Sequence, residues 1–585
     1  MVGKMKHITF RFSAVALCVG LVVRVSANEF FTSPTGSPQG DGSRLRPWDL
    51  VTALADNTKT QNVNKVVKPG DTVWLRGGTY GTGTNNYYCT LSGTSNSPIV
   101  VRGYPGERAV VDGEISDKAP NQAPGSFTTF WGFEVTSTAR RTNDMSGRLP
   151  GLTLCGSGHK IINMVIHDTS EACIGFGSTD PKSIGPEVYG CILWGCGIYD
   201  TNSADGGGAS PSTPWTRGSP IYAQNQYGTV LVSDVISSRH FTTAMKAYTQ
   251  GGYANGFTFT GNIMFGTGNQ GLEIDSENNS ITNATVVSNY VYHCNLTAIG
   301  HQGDNSWAQL YGLTFSNNYI VEHPGEGTAA LWLKRWADMR MVGNTIVTVG
   351  TNAWLAGSGL RYDVGGHFVE LYFNTNYSHS YTINSNSYYG GVEQDADWYS
   401  ASGTNYGIFY RTYQPFRYEY NAVSPADGTN GLLSFYAWTN VHGFDLNSTY
   451  STNLPSTNVV IVRPNKYETG RGHVVIFNWQ SNSVANVDIS SLGLTDGQRF
   501  EVRDAQNYLG TPCITTNYSA AQPVLGFPLT LTNMTPLTPV GDINPATFPS
   551  GNPDIHTASL FNAFVLLPLV SGTGLLPPTA LRFVP

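Results

Sequence analysis

Short runs of β-branched and aromatic residues recur along the middle of the chain, and each run is bounded by Gly, Asn or Ser. Seven of these runs, among them IINMVIHD, FTGNIMFG and SNNYIVEH, can be aligned on one mostly polar position. The aligned residues are Asn163, Cys191, Asp234, Asn262, Asn289, Asn318 and Asn344. A unit that recurs at nearly fixed spacing predicts a repeat architecture, and its composition predicts strands rather than helices. We therefore predict an all-β chain built on a parallel β-helix, in which stacked Asn side chains form an internal hydrogen-bonded ladder.

The pattern changes at both ends of this array. Residues 1–27 place cations before the apolar run SAVALCVGLVV and the residues VSA, which predicts a secretory signal peptide. That run is shorter than the ~20 residues that a membrane span needs. In residues 28–60 the stretch PWDLVTALA predicts a capping helix. We expect the β-helix in residues 61–450, and in residues 451–585 a C-terminal β-sandwich with a Pro-rich tail, because short alternating strands such as QRFEVRD occur there.

Composition supports an extracellular β protein. Charged residues make up only 12% of the chain, whereas Gly is plentiful at 66 residues. The net charge of −7 argues against nucleic acid as a partner. We expect a secreted monomer without a membrane span. The cysteines, including Cys173 and Cys191, are expected to be buried thiols that fill coil interiors rather than a disulfide framework.

The second strand of each coil carries the candidate chemistry. The segments SPIYAQ, TAMKAY, QGLEID, TAIGHQ and AALWLK share an apolar third position, which must face inward, so the fourth and sixth positions face outward. These outward columns hold Tyr222, Lys246, Glu273, Gly300 and Trp332, and Gln224, Tyr248, Asp275, Gln302 and Lys334. One face would then gather cations, carboxylates and aromatic rings, which suits a sugar-binding groove. The alternative is an exposed face whose charges merely compensate one another.

The opening strands add a family resemblance. The segments GDTVWLRGGTY and PIVVRGYPGERAVVDG resemble the first coils of secreted right-handed β-helix proteins of the pectate-lyase-like superfamily. Its members are mostly polysaccharide lyases, glycoside hydrolases and epimerases, so the resemblance implies a carbohydrate-active enzyme with a polysaccharide substrate.

In a lyase, a base removes the proton next to the carboxyl group of a uronate and a cation offsets the carboxylate charge. Lys246 is the candidate base, if burial lowers its pKa, and Tyr248 could pass a proton to the leaving oxygen. The carboxylates of Glu273, Asp275 and Glu277 could hold Ca²⁺, which favours such oxygen ligands. The candidate substrate-binding residues are Trp332, Lys334, Arg335, Arg340, Gln302, Tyr222, Arg239 and His240.

Two other functions remain open. In a glycoside hydrolase, Glu273 and Asp275 would act as acid and base, and no metal would be needed. A glycan-binding surface protein could use the same scaffold without catalysis. The segment EIDSENN resembles the acidic strand of the alginate- and chondroitin-lyase type, but Glu277 and two Asn residues stand near the position of that family's catalytic lysine. The polygalacturonase motifs are missing from the sequence. We favour a lyase acting on an acidic polysaccharide.

Overall fold

The structure is a computed structural model in which part of the chain is described. The described residues are 27–55, 66–120, 122–137, 149–178, 184–200, 215–249, 251–268, 270–276, 279–294, 296–300, 310–322, 329–349, 367–373, 380–390, 394–400, 406–412, 416–420, 432–433, 435–440, 443–537 and 555–569. The predicted signal peptide lies almost entirely outside them.

Three ladders of parallel strands form a β-helix. The first ladder contains Glu29–Thr32, Thr72–Leu75, Ile99–Gly103, Thr128–Trp131, Lys160–Ile162, Glu187–Tyr189, Val230–Ser233, Phe257–Thr260, Thr282–Val287, Tyr311–Ser316, Asp338–Val342 and Ser380–Asn384. The second contains Gly78–Tyr88, Ala109–Ser116, Glu134–Thr136, Val165–His167, Ile192–Trp194, Ile236–Ser238, Ile263–Phe265, Tyr290–Tyr292, Tyr319–Glu322, Thr345–Thr348, Ser387–Gly390 and Thr449–Ser451. The third contains Leu152–Leu154, Ile174–Ser178, Ile221–Asn225, Met245–Thr249, Leu272–Ser276, Thr297–Gly300, Ala329–Lys334, His367–Phe373 and Phe416–Tyr420, with Leu432–Leu433 antiparallel at its end. The prediction of an all-β parallel β-helix is confirmed.

Short helices and hairpins interrupt or close the coils. The helices are Leu50–Ala53 and Phe435–Asn440. The first matches the predicted capping helix and begins after Asp49, whose side chain accepts a hydrogen bond from the backbone N of Thr52 at 2.8 Å. The hairpins pair Ile198–Asp200 with Trp215–Arg217, and Gln394–Ser400 with Tyr406–Thr412.

The predicted asparagine ladder occupies the later coils of the solenoid. Asn262, Asn289, Asn318, Asn344 and Asn386 are buried, and the side-chain Nδ2 of each of the first four donates to Oδ1 of the next at 2.9 to 3.0 Å. The ladder ends where Asn386 Nδ2 donates to Oδ1 of Asp445 at 2.8 Å. Every rung therefore satisfies buried polar groups of its neighbours, which an apolar interior could not do.

Two residues of the sequence alignment lie one position away from the ladder. Asn163 and Asp234 have φ angles of 52° and 53° and form the turn that precedes the ladder position. Met164 and Val235 occupy the ladder itself, and the backbone N of Val235 donates to Asn262 Oδ1 at 3.1 Å. Because Asn and Asp tolerate the left-handed conformation nearly as Gly does, an Asn in the turn resembles an Asn in the ladder when only the sequence is read.

A C-terminal region of antiparallel strands follows the solenoid. One sheet contains Val459–Pro464, Gly472–Phe477, Phe561–Pro568, Arg499–Asp504 and Ile514–Asn517, and a pair contains Val484–Asp488 and Val524–Pro528. Two 3₁₀ turns, Ser490–Leu492 and Ala505–Asn507, accompany them. Alternate residues of the larger sheet form an internal core with the pair, and the others pack on the solenoid.

The C-terminal sheet covers the outer face of the second ladder. The residues that meet there are mostly apolar: Val165, Ile192, Trp194, Ile236, Ile263, Phe265, Tyr290 and Tyr292 from the solenoid, and Val475, Phe477, Phe561, Ala563 and Val565 from the sheet. Asp234, in the turn described above, forms an ion pair with Arg463 of the sheet. The third ladder, which carries the candidate chemistry, contributes no residue to this apolar contact among those described.

The cysteine prediction is only partly correct. Cys173 and Cys196 form a disulfide, so Cys173 is not a free thiol. Cys191 is a buried thiol in the ladder position, as predicted, and Cys89 and Cys294 are buried thiols as well. The bridged residues are only 23 apart in sequence and lie in successive coils, a proximity that the repeat spacing alone did not reveal.

A buried histidine between two carboxylates predicts a pH-dependent stability. Burial opposes the charged form of His167, but hydrogen bonds to Asp168 at 2.9 Å and Glu134 at 3.0 Å outweigh that effect and raise the pKa of His167. Its contribution to folding is therefore complete below the unfolded-state pKa of about 6.5 and is lost as pH rises through the higher folded-state value. We expect the urea midpoint to fall over that pH window by more in the wild type than in His167→Gln. Equal pH dependence of the two proteins would contradict this.

Candidate active site

Three neighbouring strands of the third ladder bring the predicted catalytic residues together. Lys246 pairs in register with Tyr222 on one side and with Glu273 on the other. Tyr248 pairs with Asp275 in the same way. Neighbouring parallel strands lie about 4.8 Å apart, so these five side chains form a compact group, which we call the acid–base cluster.

The acid–base cluster lies on the outer side of the coil wall but is largely shielded. Leu272 and Ile274 belong to the solenoid core, so the alternate residues Glu273 and Asp275 point away from it. Even so, Glu273 is only 4% exposed and Asp275 only 3%. The expectation of an exposed wall is therefore wrong for the two carboxylates, whereas the Lys246 side chain keeps 22% of its surface exposed.

Lys246 and Glu273 make direct contact within this cluster. Nζ of Lys246 lies 2.9 Å from Oε1 of Glu273 and 4.0 Å from the ring centroid of Tyr248. The second carboxylate oxygen of Glu273 accepts a hydrogen bond from the hydroxyl of Thr243 at 3.2 Å. Burial raises the pKa of Glu273, although Lys246 and Thr243 act in the opposite direction. The Lys246 amine thus contacts a carboxyl group whose pKa is raised by burial.

Thr243 was missed by the sequence prediction. It lies in the turn before the strand that begins at Met245, and the two-residue period that assigns strand faces does not extend into a turn. No signal in the sequence would have linked it to Glu273, which lies 30 residues later.

The register differs from the sequence alignment at the next coil. Ala298, not Gly300, pairs with Glu273 and then with Trp332, and Gly300 pairs with Lys334 in place of Gln302. The sequence alignment shifted this strand by two residues because Ile299 was aligned with the wrong inward position. Gln302 itself lies outside the described residues. In the observed pairing, the strand between the acid–base cluster and Trp332 carries Ala298 and Gly300 on this face.

Trp332 and Lys334 form a second group on the same face. Nζ of Lys334 lies 3.7 Å from the ring centroid of Trp332, and both residues are partly exposed. Trp332 is two strands from Glu273, which corresponds to roughly 10 Å. An aromatic ring and a cation at this separation from the acid–base cluster suit a neighbouring sugar unit.

Arg239 and His240 do not lie in the groove. Arg239 is 3% exposed and donates to the backbone oxygens of Gln506 and Thr535 in the C-terminal region. His240 is fully buried, its Nε2 lies 3.0 Å from the Ser237 hydroxyl, and burial lowers its pKa well below the usual value. Both residues are therefore structural, because the turn that carries them faces the covered second ladder.

Arg340 is also misplaced by the prediction. It is an exposed residue of the strand Asp338–Val342, which belongs to the first ladder rather than the third. Arg335 follows Lys334 in a turn with a φ angle of 64° and is partly exposed, so it stays close to the groove. Glu277, the third predicted Ca²⁺ ligand, lies outside the described residues.

The predicted Ca²⁺ site is not supported by the arrangement of Glu273. Both of its carboxylate oxygens already have protein partners, Lys246 and Thr243. In the described part of the chain, no three His, Cys, Asp or Glu side chains are grouped so that they could hold a metal ion. Ca²⁺ remains a prediction.

The comparisons with known proteins agree with this fold. Residues 30–208 match the family model described as the Pel9A-like, right-handed β-helix region. Over 101 residues the chain is 35% identical to pectate lyase PEL9 of Emericella nidulans. This aligned stretch is 17% of this chain and 22% of that relative. The chain therefore contains a right-handed β-helix whose residues 30–208 resemble the Pel9A-like region, and it matches less than a quarter of the length of this curated relative.

Solved structures show weaker likeness over longer stretches. The complex of XylC with xylose has a TM-score of 0.38 and 10% identity, covering 92% of this chain and 100% of that chain. A mannuronic acid specific polysaccharide family 6 lyase from human gut microbiota has a TM-score of 0.33 and 14% identity, covering 62% of this chain and 86% of that chain. At these scores neither carries a substrate or a reaction over to this chain.

Within the described residues, no helix has the length and apolar character needed to cross a membrane.

Proposed function

We propose that this protein is a secreted polysaccharide lyase that cleaves a uronate-containing polysaccharide by β-elimination. The observation that carries the proposal is the direct contact of Lys246 with Glu273 beside Tyr248 on one face of the third ladder. The match of the first coils to a Pel9A-like β-helix and the partial identity to a pectate lyase support this class of reaction. Secretion rests on the predicted signal peptide.

The contact of Lys246 with Glu273 positions an amine that can act as a base. Nζ of Lys246 is held 2.9 Å from Oε1 of Glu273, and it takes the role of the base in this proposal. That amine accepts the proton on the carbon next to the uronate carboxyl group. The electrons of the broken C–H bond form the new C=C bond as the C–O bond of the neighbouring carbon breaks. Tyr248 donates its hydroxyl proton to the leaving oxygen and regains a proton from the Lys246 ammonium.

The Trp332–Lys334 group supplies substrate binding in this proposal. The Trp332 ring packs on a sugar, and the Lys334 ammonium contacts a uronate carboxylate. Between this group and the acid–base cluster, the same face carries only the small residues Ala298 and Gly300, and both are buried. The substrate would thus lie across the third ladder, parallel to the axis along which the coils stack.

Product analysis tests the reaction directly. Incubation with a panel of polyuronates and neutral glycans, each with and without EDTA, is expected to give unsaturated uronates that absorb near-ultraviolet light from a polyuronate only. Reducing ends that form without this absorbance would contradict elimination. Loss of activity with EDTA would support the predicted Ca²⁺, and unchanged activity would exclude a need for an EDTA-accessible ion.

A glycoside hydrolase is the second candidate, and the raised pKa of Glu273 favours it. A carboxyl group whose pKa is raised by burial is suited to protonate a leaving group, with Asp275 two residues later as the base. The pH profile separates the two candidates. In a hydrolase that uses Glu273 as the acid, activity falls as Glu273 loses its proton with rising pH. In a lyase that uses Lys246 as the base, activity does not depend on a protonated Glu273.

Replacing Trp332 tests substrate binding separately from chemistry. Trp332→Ala is expected to raise KM for the polymer about 10-fold with a smaller change in kcat, because a stacked sugar contributes on the order of 1 kcal/mol. Trp332→Phe keeps a ring and is expected to restore most of the affinity. Steady-state kinetics on the preferred polymer measures both, and an unchanged KM in Trp332→Ala removes this residue from the groove.

A further inference from the structure

A cavity of about 440 Å³ lies between the early coils of the solenoid and the C-terminal sheet. Its solenoid wall includes Arg108, Glu134 and Asn163, and its sheet wall includes Arg471 and Tyr508. This volume is within the range of small-molecule binding sites. The wall lies along the second ladder, and the cavity is therefore separate from the acid–base cluster of the third.

Arg471 has an unusual set of contacts in this cavity wall. The residue is only 7% exposed, and its Nη1 donates to Glu468 at 3.3 Å. Its Nε and Nη2 atoms have no hydrogen-bond partner among the residues that the structure describes. Leaving charged donors buried without acceptors is costly, so an acceptor at this edge of the guanidinium would stabilise the site.

The same edge of two other arginines already holds carboxylates in this protein. Nε and Nη2 of Arg76 bind both oxygens of Glu107 at 2.6 to 3.0 Å. Nε and Nη2 of Arg108 bind the two oxygens of Glu134 at 2.7 and 2.8 Å. This two-pronged geometry is the one in which a guanidinium matches a carboxylate. The unpartnered edge of Arg471 therefore has the geometry of a carboxylate receptor.

A second donor in the wall points to the same ligand chemistry. Asn163 is 2% exposed, and its Oδ1 accepts from Nδ2 of Asn465 at 2.8 Å, which fixes the orientation of the amide. Its own Nδ2 has no partner in the described part of the chain. The three carboxylates in the wall already have arginine partners, because Glu107 binds Arg76, Glu134 binds Arg108 and Glu501 binds Arg503.

We propose that this cavity binds the carboxylate of a uronic acid unit, with Arg471 gripping the two oxygens and Asn163 donating to an oxygen of the same unit. The remaining wall combines polar and apolar residues and carries the ring of Tyr508, which suits sugar hydroxyl groups and a sugar face. The inference rests on the proposed function for its substrate class. It adds a binding site, distinct from the site of cleavage, that could anchor an acidic polysaccharide across both parts of the chain.

Binding of single sugars tests the proposal. Calorimetry with the full chain compares glucuronate and galacturonate with glucose and galactose. We expect a uronate to bind and its neutral counterpart to bind about 10-fold more weakly or not at all, because only the former fills the Arg471 edge. Arg471→Lys keeps the charge but removes the two-pronged edge, and it is expected to weaken uronate binding by about 10-fold. Arg499→Lys, an exposed arginine on the same sheet, is the matched control and should bind as the wild type does.

A second variant guards against misfolding and against binding elsewhere. Leu509→Trp fills the cavity from its wall without replacing Arg471, and it should also abolish uronate binding in the cavity, whereas Arg340→Ala, an exposed position of the first ladder, should leave that binding intact. Uronate binding with unchanged affinity and stoichiometry in both Arg471→Lys and Leu509→Trp overturns the site, as does a wild-type structure determined at saturating uronate in which the cavity holds only water. If uronates bind here but no polysaccharide is cleaved, the proposed function fails and this inference stands.

Discussion

Replacing Lys246 with alanine is expected to lower turnover of the polysaccharide by about 10²- to 10⁴-fold, the usual contribution of a general base. Lys246→Ala removes the amine that is proposed to accept the substrate proton and leaves the rest of the acid–base cluster in place. Glu273→Gln is expected to lower turnover as well, because an amide can still accept a hydrogen bond from Lys246 but lacks the charge that holds the Lys246 side chain in place. Initial rates of ultraviolet absorbance on the preferred polyuronate measure both effects.

The control for this prediction must separate chemistry from folding. Loss of one member of a buried ion pair destabilises a protein when the other charge stays unpaired, so melting temperatures are compared for Lys246→Ala, Glu273→Gln and the double variant. Arg340→Ala is the matched control, since it removes an exposed cation from the first ladder and should retain wild-type turnover. Full activity of a well-folded Lys246→Ala protein would refute the site.

The sequence predicted the face that carries the acid–base cluster because strands alternate strictly. Lys246, Glu273 and Asp275 each follow an inward apolar residue, and two consecutive coils without insertion keep them in register. The prediction failed at Ala298, where the apolar pattern allows two alignments that differ by two residues. A shift of two preserves the face, so the hydrophobic pattern alone could not detect it.

Turns set the other limit of the sequence prediction. Arg239 is near Lys246 in sequence, but its φ angle of 53° directs the turn toward the C-terminal sheet, where Arg239 donates to two backbone oxygens. Asn163 was predicted to be a ladder residue, and it lies instead in a turn at the cavity wall. In both cases the deciding partner lies 267 to 302 residues away along the chain. No local pattern encodes a contact of that length.

The cover over the second ladder explains why the third ladder is the better location for chemistry. The C-terminal sheet buries the outward side chains of the second ladder, including Trp194 and Phe265, against its own apolar residues. A polymer cannot lie along the part of this face that these apolar residues occupy, although the cavity between the early coils and the sheet has room for a single sugar unit. The third ladder keeps Lys246, Trp332 and Lys334 partly exposed, so a long substrate can reach the acid–base cluster without displacing packed residues.

Replacing Asn318 with alanine is expected to destabilise the solenoid by about 4 kcal/mol or more. The Asn318 side chain makes four buried hydrogen bonds: Nδ2 donates to Val286 O at 2.9 Å and to Asn344 Oδ1 at 2.9 Å, and Oδ1 accepts from the backbone N and the Nδ2 of Asn289. Alanine would remove all four of these hydrogen bonds, each worth about 1 kcal/mol, and would leave the backbone N of Asn289 without this acceptor. Denaturant unfolding of the full chain measures the loss.

The matched control for this ladder prediction is Thr314→Ala, in the strand that leads to Asn318. Thr314 is half-buried on the outer side of the first ladder, between the inward residues Leu313 and Phe315, so its loss is expected to change the free energy of unfolding by less than about 1 kcal/mol. Asn318→Val tests the mechanism further. Val235 occupies the same ladder position in an earlier coil, so a valine side chain fits at this position of a coil. If Asn318→Val were as stable as the wild type, the hydrogen bonds of the ladder would not be what holds the later coils together.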